Sequence, residues 1–373
     1  MEDIIMWEKR IVIHVTLIAL FSIILVSCLK DDPLKVPFQS FSPANLGDGW
    51  EIAEPAEMGI DGEALKEVYK YVHNESNAWP IRSLLVFRNN KLVAESYMKD
   101  PNDRTNLHPM WSATKGFIGI LTGIAIDKEL ITIKDKISDF FPNAPSNKKE
   151  ITIENLLTMK SGIKYRNDGY NGEDCILFRE IPLNSIDFVL GLGMHASIGT
   201  SYRYKNSDPH LLSAIIQERV RKTTRDWSKD VLFDKIGITR LEWRTYKDGV
   251  TFGGFGILTT PREMGKIGQL VANKGVWNGE QIVSEHWIDE MTTEKVLDAF
   301  TEFSGDLVFC YMWWKDMKRG TVFTMGHGGQ FIIVNKDKNL TIVITSEQHP
   351  AFEFGLLPDD AVSIYDRINS ITN

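Results

Sequence analysis

The chain has 373 residues, which is long enough for one large domain or two smaller ones with a substantial core. Its hydrophobic content of 43% and its charged content of 25% are typical of a folded globular protein. The formal net charge of −8 at pH 7 argues against a nucleic-acid-binding protein, which needs a basic face to displace counterions from phosphates.

The first element in chain order is a hydrophobic segment near the N-terminus. Lys9 and Arg10 precede an almost unbroken apolar run at residues 11–27, and Cys28 follows it. The run is short for a helix that crosses a bilayer, so it favours a signal peptide at residues 1–27, with a plain membrane anchor as the alternative. The letters LVSC at its end resemble a bacterial lipobox, in which the cysteine is lipidated. We therefore expect an exported bacterial lipoprotein, held at a membrane by a lipid on Cys28 and facing the periplasm or the cell surface.

The remaining elements predict the fold. Residues 28–47 hold three prolines and few periodic apolar positions, which predicts a tether before a folded domain at residues 48–373. The domain opens with a helical pattern and the hairpin SLLVFRNNKLVAESYM, and it closes with the hairpin QFIIVNKDKNLTIVITSE and a helix. We therefore expect an α+β fold, with an antiparallel sheet built from both chain ends, flanking helices and an inserted mainly helical region at residues 133–249.

The spacing Ser-x-x-Lys occurs five times, so the surroundings of each copy must decide which one carries chemistry. Only Ser112 begins a predicted helix, SATKGFIGILTGIAID, whose apolar residues drive it into the core. On a helix, positions i and i+3 share a face, so Lys115 can approach the Ser112 hydroxyl. A buried lysine that has lost its proton can then activate the serine as a nucleophile. The alternative at this point is a serine that does nothing more than cap the helix.

Two later segments add polar groups. Tyr204 and Asn206 precede an amphipathic helix; a phenol can exchange protons with a lysine, and an amide can orient a substrate carbonyl. His327 and Gly329 come directly before a predicted strand, where glycines let a ligand approach the backbone. There the Gln330 N–H can donate to an oxyanion. For this second segment a plain glycine turn is the alternative.

Motifs for other chemistry are missing from the sequence. It contains no Gly-x-Ser-x-Gly elbow, no His-Glu-x-x-His and no P-loop, and it contains no Cys-x-x-Cys. Metal and nucleotide sites are therefore without support. Cys175 and Cys310 can pair in an oxidising periplasm, but their spacing does not require a disulfide.

Three motifs follow one another in an order that resembles the penicillin-recognising serine hydrolases: Ser112-x-x-Lys115, Tyr204-x-Asn206 and His327-x-Gly329. The branch that fits best contains class C β-lactamases, D-alanyl-D-alanine carboxypeptidases, esterases and nylon-oligomer hydrolases. Two further segments, TIENLLTMKSGI and TFGGFGILTTPREMGKIGQLVANKG, are similar to that branch, so the resemblance covers residues 47–347. It implies a β-lactamase/transpeptidase-like fold and a serine hydrolase that cleaves an ester, amide or β-lactam bond in a small-molecule or peptide-like acyl substrate.

The resemblance also implies a role for each motif residue. Ser112 would form the acyl-enzyme with Lys115 as its base, and Tyr204 would protonate the leaving group and then activate the deacylating water. The backbone N–H groups of Ser112 and Gln330 would form the oxyanion hole. The implied substrate-binding positions are Asn206, His327, Gly329 and Gln330. No metal and no organic cofactor is implied.

Three positions depart from the usual pattern. His327 stands where β-lactamases carry a lysine that helps to hold a carboxylate, and a histidine is largely uncharged at neutral pH. Gly328 replaces a Thr or Ser hydroxyl, so both changes favour an esterase or amidase over a true β-lactamase. Lys205, between Tyr204 and Asn206, is expected to place a cation near the pocket rim. The alternative function is a catalytically silent cell-envelope protein that binds peptidoglycan fragments or a partner in the same cleft.

Overall fold

The computed structural model describes residues 36, 38–74, 80–166, 172–179, 182–297, 299, 306–347 and 358–373. The chain divides into two compact units, Met1–Pro37 and Phe38–Asn373, and the fold given below is that of the second. The predicted signal peptide at residues 1–27 and the predicted lipidation site Cys28 lie outside the described residues. Within the described ranges, no helix is long and apolar enough to cross a membrane.

Strands lie toward both ends of the second unit, and most of the helices lie between them. In the described chain the strands are β1 (Glu51–Ile52), β2 (Ile81–Arg88), β3 (Lys91–Tyr97), β4 (His108–Pro109), β5 (Leu241–Trp243), β6 (Ile257–Thr259), β7 (Val276–Trp277), β8 (Glu280–Gln281), β9 (Leu307–Phe309), β10 (Trp314–Asp316), β11 (Thr321–Gly326), β12 (Gln330–Asn335) and β13 (Leu340–Ser346). The α-helices in the same ranges are α1 (Gly62–Asn74), α2 (Thr114–Asp127), α3 (Ile153–Leu157), α4 (Glu173–Phe178), α5 (Ser185–Gly191), α6 (Ser207–Val220), α7 (Thr224–Ser228), α8 (Pro261–Ala272), α9 (Glu285–Thr292) and α10 (Pro358–Ser370).

Eight of these strands form one sheet in the order β1-β3-β2-β13-β12-β11-β10-β9. At its centre, β2 from the first part of the chain pairs antiparallel with β13 from the last part. The predicted α+β fold, with a sheet from both chain ends, is confirmed. One detail differs, because β1 runs parallel to β3 and makes the sheet mixed. The chain reaches β3 from β1 through α1 and β2, and a connection of that length permits parallel pairing.

Helix α2 lies where the sheet meets the helical part of the fold. It contacts β11 of the sheet, α6 of the helical region and α9. On the sheet itself, α8 packs across β2, β12 and β13. A short 3-10 turn, Trp111–Ala113, leads into α2. This turn therefore lies between the sheet and the helical region.

Close packing fixes α2 in this place. Every residue from Thr114 to Ala125 is buried, and glycines let the neighbours approach the helix backbone. A Cβ atom on Gly116 would lie 2.4 Å from Thr324 Cγ2, and one on Gly123 would lie 1.9 Å from the Trp287 ring. Both distances are far below van der Waals contact, so these two positions require glycine.

The segment before β1 is bound to the folded unit. The ring of Phe38 lies edge-on to His73 at 5.2 Å, and the ring of Phe41 stacks on Tyr69 at 5.3 Å. The Ala44 N–H donates to a Glu95 carboxylate oxygen at 3.0 Å. The tether predicted at residues 28–47 therefore does not extend through residues 38–47, because two aromatic side chains there have partners in the core.

We predict that Gly123→Ala lowers the free energy of unfolding by about 1–3 kcal/mol, because the added methyl group overlaps the Trp287 ring and must displace it. Urea unfolding of the whole chain, followed by tryptophan fluorescence, measures the change. Gly191→Ala, at the end of α5, is the control, since a Cβ atom there meets nothing within 4 Å. Equal midpoints for the two variants would contradict the packing argument.

Candidate active site

Ser112 lies on the turn that leads into α2. Its neighbour Trp111 has a φ of 49°, a left-handed conformation that is unusual for a bulky residue and that often marks functional turns. Ser112 is half-buried, and neither the turn nor α2 receives a side-chain cap from it. The hydroxyl is therefore not engaged as a helix cap.

Lys115 lies on the first turn of α2, and its amine points at Ser112. The Lys115 Nζ atom is 2.9 Å from Ser112 Oγ, 2.5 Å from Asn206 Oδ1 and 2.8 Å from the Gly254 carbonyl oxygen. A neutral amine has two N–H groups and one lone pair. Because the amide and carbonyl oxygens can only accept, the two N–H groups donate to them and the lone pair faces the serine hydroxyl.

Burial sets the protonation of this amine. Lys115 is 2% exposed, and desolvation lowers the pKa of its amine from 10.5 to about 7, against a smaller opposing effect of the Asp174 carboxylate. At neutral pH a large fraction of the molecules thus carries a neutral Lys115. A neutral amine that faces a hydroxyl is the arrangement that a general base requires.

Tyr204 lies on the other side of the same amine. The Lys115 Nζ atom is 4.8 Å from the centre of the Tyr204 ring, and the phenol lies near enough to the Ser112 side chain for the two groups to interact. Burial raises the pKa of Tyr204 above its ordinary value, so the phenol keeps its proton at neutral pH. The rings of Trp314 and Phe309 pack against it, at 5.9 and 6.2 Å between centroids. Tyr204 is thus a protonated phenol that its aromatic neighbours hold beside the Lys115 amine.

Asn206 connects Lys115 to a carboxylate. Its Nδ2 atom donates to Asp174 Oδ1 at 2.6 Å, and the Tyr165 hydroxyl donates to the same oxygen at 2.7 Å. The loop that carries Gly254 comes close to this amide, because a Cβ atom on Gly254 would lie 2.6 Å from Asn206 Oδ1. Position 254 must therefore be glycine for its carbonyl to reach the amine.

Lys205 does not lie at the pocket rim, contrary to the prediction. It is fully buried, and its amine pairs with the buried Asp208 carboxylate at 3.3 Å. Successive side chains of an extended segment point to opposite sides. Tyr204 and Asn206 lie against the Lys115 amine, whereas the residue between them points into the core.

His327, Gly328 and Gly329 form the turn between β11 and β12, with φ values of 75° and 93° at the two glycines. The His327 side chain is exposed, and its ring lies edge-on to Trp111 at 5.8 Å. This turn therefore lies beside the turn that carries Ser112. A histidine rather than a lysine is the residue presented there.

Gln330 begins β12 next to the Ser112 turn. A Cβ atom on Gly326, the residue paired with Gln330, would lie 2.1 Å from the Met110 carbonyl oxygen. The strand pair thus lies against the backbone just before Ser112. The Gln330 side chain donates to the Ser346 carbonyl at 2.6 Å inside the sheet. The Gln330 side chain is therefore engaged inside the sheet.

Two residues of the site, Gly254 and Asp174, were not predicted from the sequence. Gly254 carries a signal, since paired glycines in a loop indicate a close approach of backbone, but the sequence does not say what approaches. Asp174 carries none, because it is one of 50 acidic residues and belongs to no motif. Its partner Tyr165 is equally ordinary in sequence.

No metal site accompanies these residues: in the described chain, no cluster of three or more His, Cys, Asp or Glu side chains could hold an ion. The two cysteines that the sequence left open as a pair, Cys175 and Cys310, are buried free thiols. Burial raises the pKa of the Cys310 thiol to about 12, so it is unreactive at neutral pH.

Known proteins share this arrangement of elements. A curated relative, 6-aminohexanoate-dimer hydrolase of Paenarthrobacter ureafaciens, is 22% identical over 316 residues, which cover 78% of this chain and 79% of the relative. A putative 6-aminohexanoate-dimer hydrolase from Bacillus anthracis has the same fold, with a TM-score of 0.69, 18% identity and coverage of 91% and 94% of the two chains. A family VIII carboxylesterase gives a TM-score of 0.66 at 15% identity, over 90% of this chain and 100% of the other.

A family model described as Beta-lactamase matches residues 80–363, which is most of the chain. The family predicted from the three sequence motifs is therefore confirmed, and this chain belongs to the beta-lactamase family.

Proposed function

We propose that this protein is a serine hydrolase that cleaves an ester or amide bond of a small-molecule or peptide-like acyl substrate through an acyl-enzyme on Ser112. The observation that carries the proposal is the contact of 2.9 Å between the buried Lys115 amine and Ser112 Oγ. Two fixed oxygens hold the amine so that its lone pair faces the hydroxyl. Relatives named 6-aminohexanoate-dimer hydrolase and family VIII carboxylesterase support this class of reaction.

Acylation follows from these contacts. The neutral Lys115 amine takes the hydroxyl proton as Ser112 Oγ forms a bond to the substrate carbonyl carbon. The electron pair of the carbonyl moves to its oxygen, next to the backbone N–H groups of Ser112 and Gln330. When the oxyanion collapses, the bond to the leaving alcohol or amine breaks, and the leaving atom takes the Tyr204 phenol proton. Lys115 returns its extra proton to Tyr204.

Deacylation reverses the proton path. A water molecule in the position of the departed group gives one proton to Tyr204 as its oxygen bonds to the acyl carbon, and the phenol passes its own proton to the neutral Lys115 amine. Collapse of this second oxyanion breaks the ester to Ser112, whose oxygen regains its proton from Lys115. The products are a carboxylic acid and the free enzyme.

The site supports ester and amide substrates over β-lactams. The turn beside the nucleophile presents His327 and two glycines, so it offers neither a permanent cation nor a hydroxyl to a substrate carboxylate. Recognition of a penicillin depends on such a carboxylate contact. We therefore propose that β-lactams are poor substrates.

A fluorophosphonate probe tests the nucleophile, because it phosphonylates an activated serine. We expect a one-to-one adduct by intact mass in the purified full chain and none in Ser112→Ala. Lys115→Ala slows the labelling by about 10²–10⁴-fold, the usual contribution of a general base. Ser146→Ala is the matched control, since this exposed serine also lies three residues before a lysine.

The same assay also tests β-lactam recognition and the alternative of a silent binding protein. A penicillin should neither be hydrolysed at an appreciable rate nor leave a lasting adduct on the wild type, and either rapid penicillin hydrolysis or a stable penicilloyl adduct would contradict the preference for esters and amides. If neither reagent modifies a protein with an intact melting transition, the hydrolase proposal fails and the silent binding protein is favoured.

We predict that kcat/KM for a p-nitrophenyl ester falls below about pH 7, by about tenfold for each further pH unit. The sign follows from the base: below its pKa of about 7, Lys115 holds a proton and cannot take another from Ser112. The rate of Ser112→Ala is subtracted as the control for hydrolysis in solution. A profile that is flat down to about pH 5, with the protein still folded, would exclude Lys115 as the base.

We also propose that the protein is exported and anchored by a lipid on Cys28, on the periplasmic or cell-surface side of a membrane. The apolar run at residues 11–27 and the cysteine after it support this. In bacteria fed an alkyne fatty acid, we expect the wild type to carry the label and Cys28→Ser to lose it. Cys175→Ser is the control. Equal labelling of Cys28→Ser would refute the anchor.

A further inference from the structure

One carboxylate of the site has no part in the proposed mechanism. Asp174 lies in α4, half-buried, and its Oδ1 atom accepts two hydrogen bonds, from Asn206 Nδ2 and from the Tyr165 hydroxyl. Tyr165 is itself fully buried. The chain of contacts therefore runs from Tyr165 through Asp174 and Asn206 to the Lys115 amine.

The first consequence concerns the direction of the Asn206 amide. An ionised carboxylate can only accept hydrogen bonds, so the amide must turn its NH₂ group toward Asp174. Its oxygen then faces Lys115. With the amide reversed, an N–H group would face the amine, and Lys115 would lose one of its two fixed acceptors.

The second consequence is electrostatic. Asp174, Tyr204, Asn206 and the Gly254 carbonyl face Lys115 from α4, from the segment before α6, from the start of α6 and from the loop after β5. Of these, Asp174 carries a negative charge. When Lys115 takes the Ser112 proton it becomes an ammonium in a desolvated place, where a nearby negative charge stabilises it.

We propose that Asp174 is a positioning residue of this site: it turns the Asn206 amide oxygen toward Lys115, and its charge stabilises the ammonium that forms during acylation. The inference rests on the proposed function, because it assigns Lys115 as the base. It gives Asp174 two separable effects, one of orientation and one of charge.

Two substitutions separate these effects. Asp174→Asn keeps an oxygen that can accept from both partners but removes the charge. We expect the acid limb of the rate of Ser112 phosphonylation to move down by about half a pH unit or more, with less than about a tenfold loss on the plateau. Asp174→Leu removes the acceptor as well, and we expect about a further tenfold loss at every pH, because the Asn206 amide is no longer oriented.

Glu173→Gln is the matched control, because it removes the neighbouring carboxylate charge. The Glu173 carboxylate accepts from the Arg166 backbone N–H rather than from Asn206. An acid limb that is unchanged in Asp174→Asn, or that moves equally in Glu173→Gln, would overturn the charge effect. A plateau for Asp174→Leu equal to that of Asp174→Asn would overturn the orientation effect. Asp174→Ser repeats the charge test if the asparagine variant melts early.

A second readout does not require an active enzyme. Cyanate carbamoylates neutral amines, so its rate at Lys115 across the pH range, read by peptide mass, gives the titration of this side chain directly. In a Ser112→Ala background we expect the midpoint to lie lower with Asp174→Asn than without it. Equal midpoints would overturn the inference even if Ser112 is the nucleophile. A lower midpoint, together with a wild-type protein that the phosphonate does not label, would instead refute the proposed function alone.

Discussion

The Lys115 amine is enclosed by an amide oxygen, a backbone carbonyl and the ring of Tyr204, and the site depends on this desolvation. In the unfolded chain the pKa of the amine lies near 10.5, and in the fold it lies near 7. Between these pH values the unfolded chain holds a proton that the folded chain does not, so this residue opposes folding more strongly as the pH falls. The fold thus gives up stability at one lysine to obtain a base that works at neutral pH.

Much of the fold and part of the site could be predicted from the sequence. A hairpin pattern near each end of the domain indicates a sheet built from both ends of the chain. Such patterns can be read because the alternation of apolar and polar residues and the turn residues are local signals. Ser112 and Lys115 stand one helical turn apart, so helix geometry alone brings them together. The prediction that Lys205 lies at the pocket rim was wrong, because nothing in the sequence tells which side of an extended segment faces the core. Asp174 and Gly254 meet Asn206 across long separations in sequence, and such contacts leave no local pattern.

The rigidity of α2 explains how a short turn can aim a nucleophile. Thr324 and Trp287 fill the space where side chains at Gly116 and Gly123 would stand, so the helix cannot shift without clashes. The Trp287 Nε1 atom also donates to the Gly119 carbonyl at 3.0 Å, which fixes the helix along its axis. The proposed catalytic pair, Ser112 and Lys115, is thus held in its geometry without help from a substrate.

The pairing of β2 with β13 has a consequence for how the chain must fold. Val86 pairs with Ile342 at the centre of the sheet, so the sheet cannot close until nearly the whole chain has been synthesised. Contacts of such long sequence separation slow folding, and earlier segments remain exposed while they wait for their partners. A fragment that ends before β13 would contain Ser112, Lys115, Tyr204 and Asn206, yet it would lack the strand that completes the sheet. The surroundings of the proposed nucleophile Ser112 are therefore complete only after β13 has been synthesised and paired.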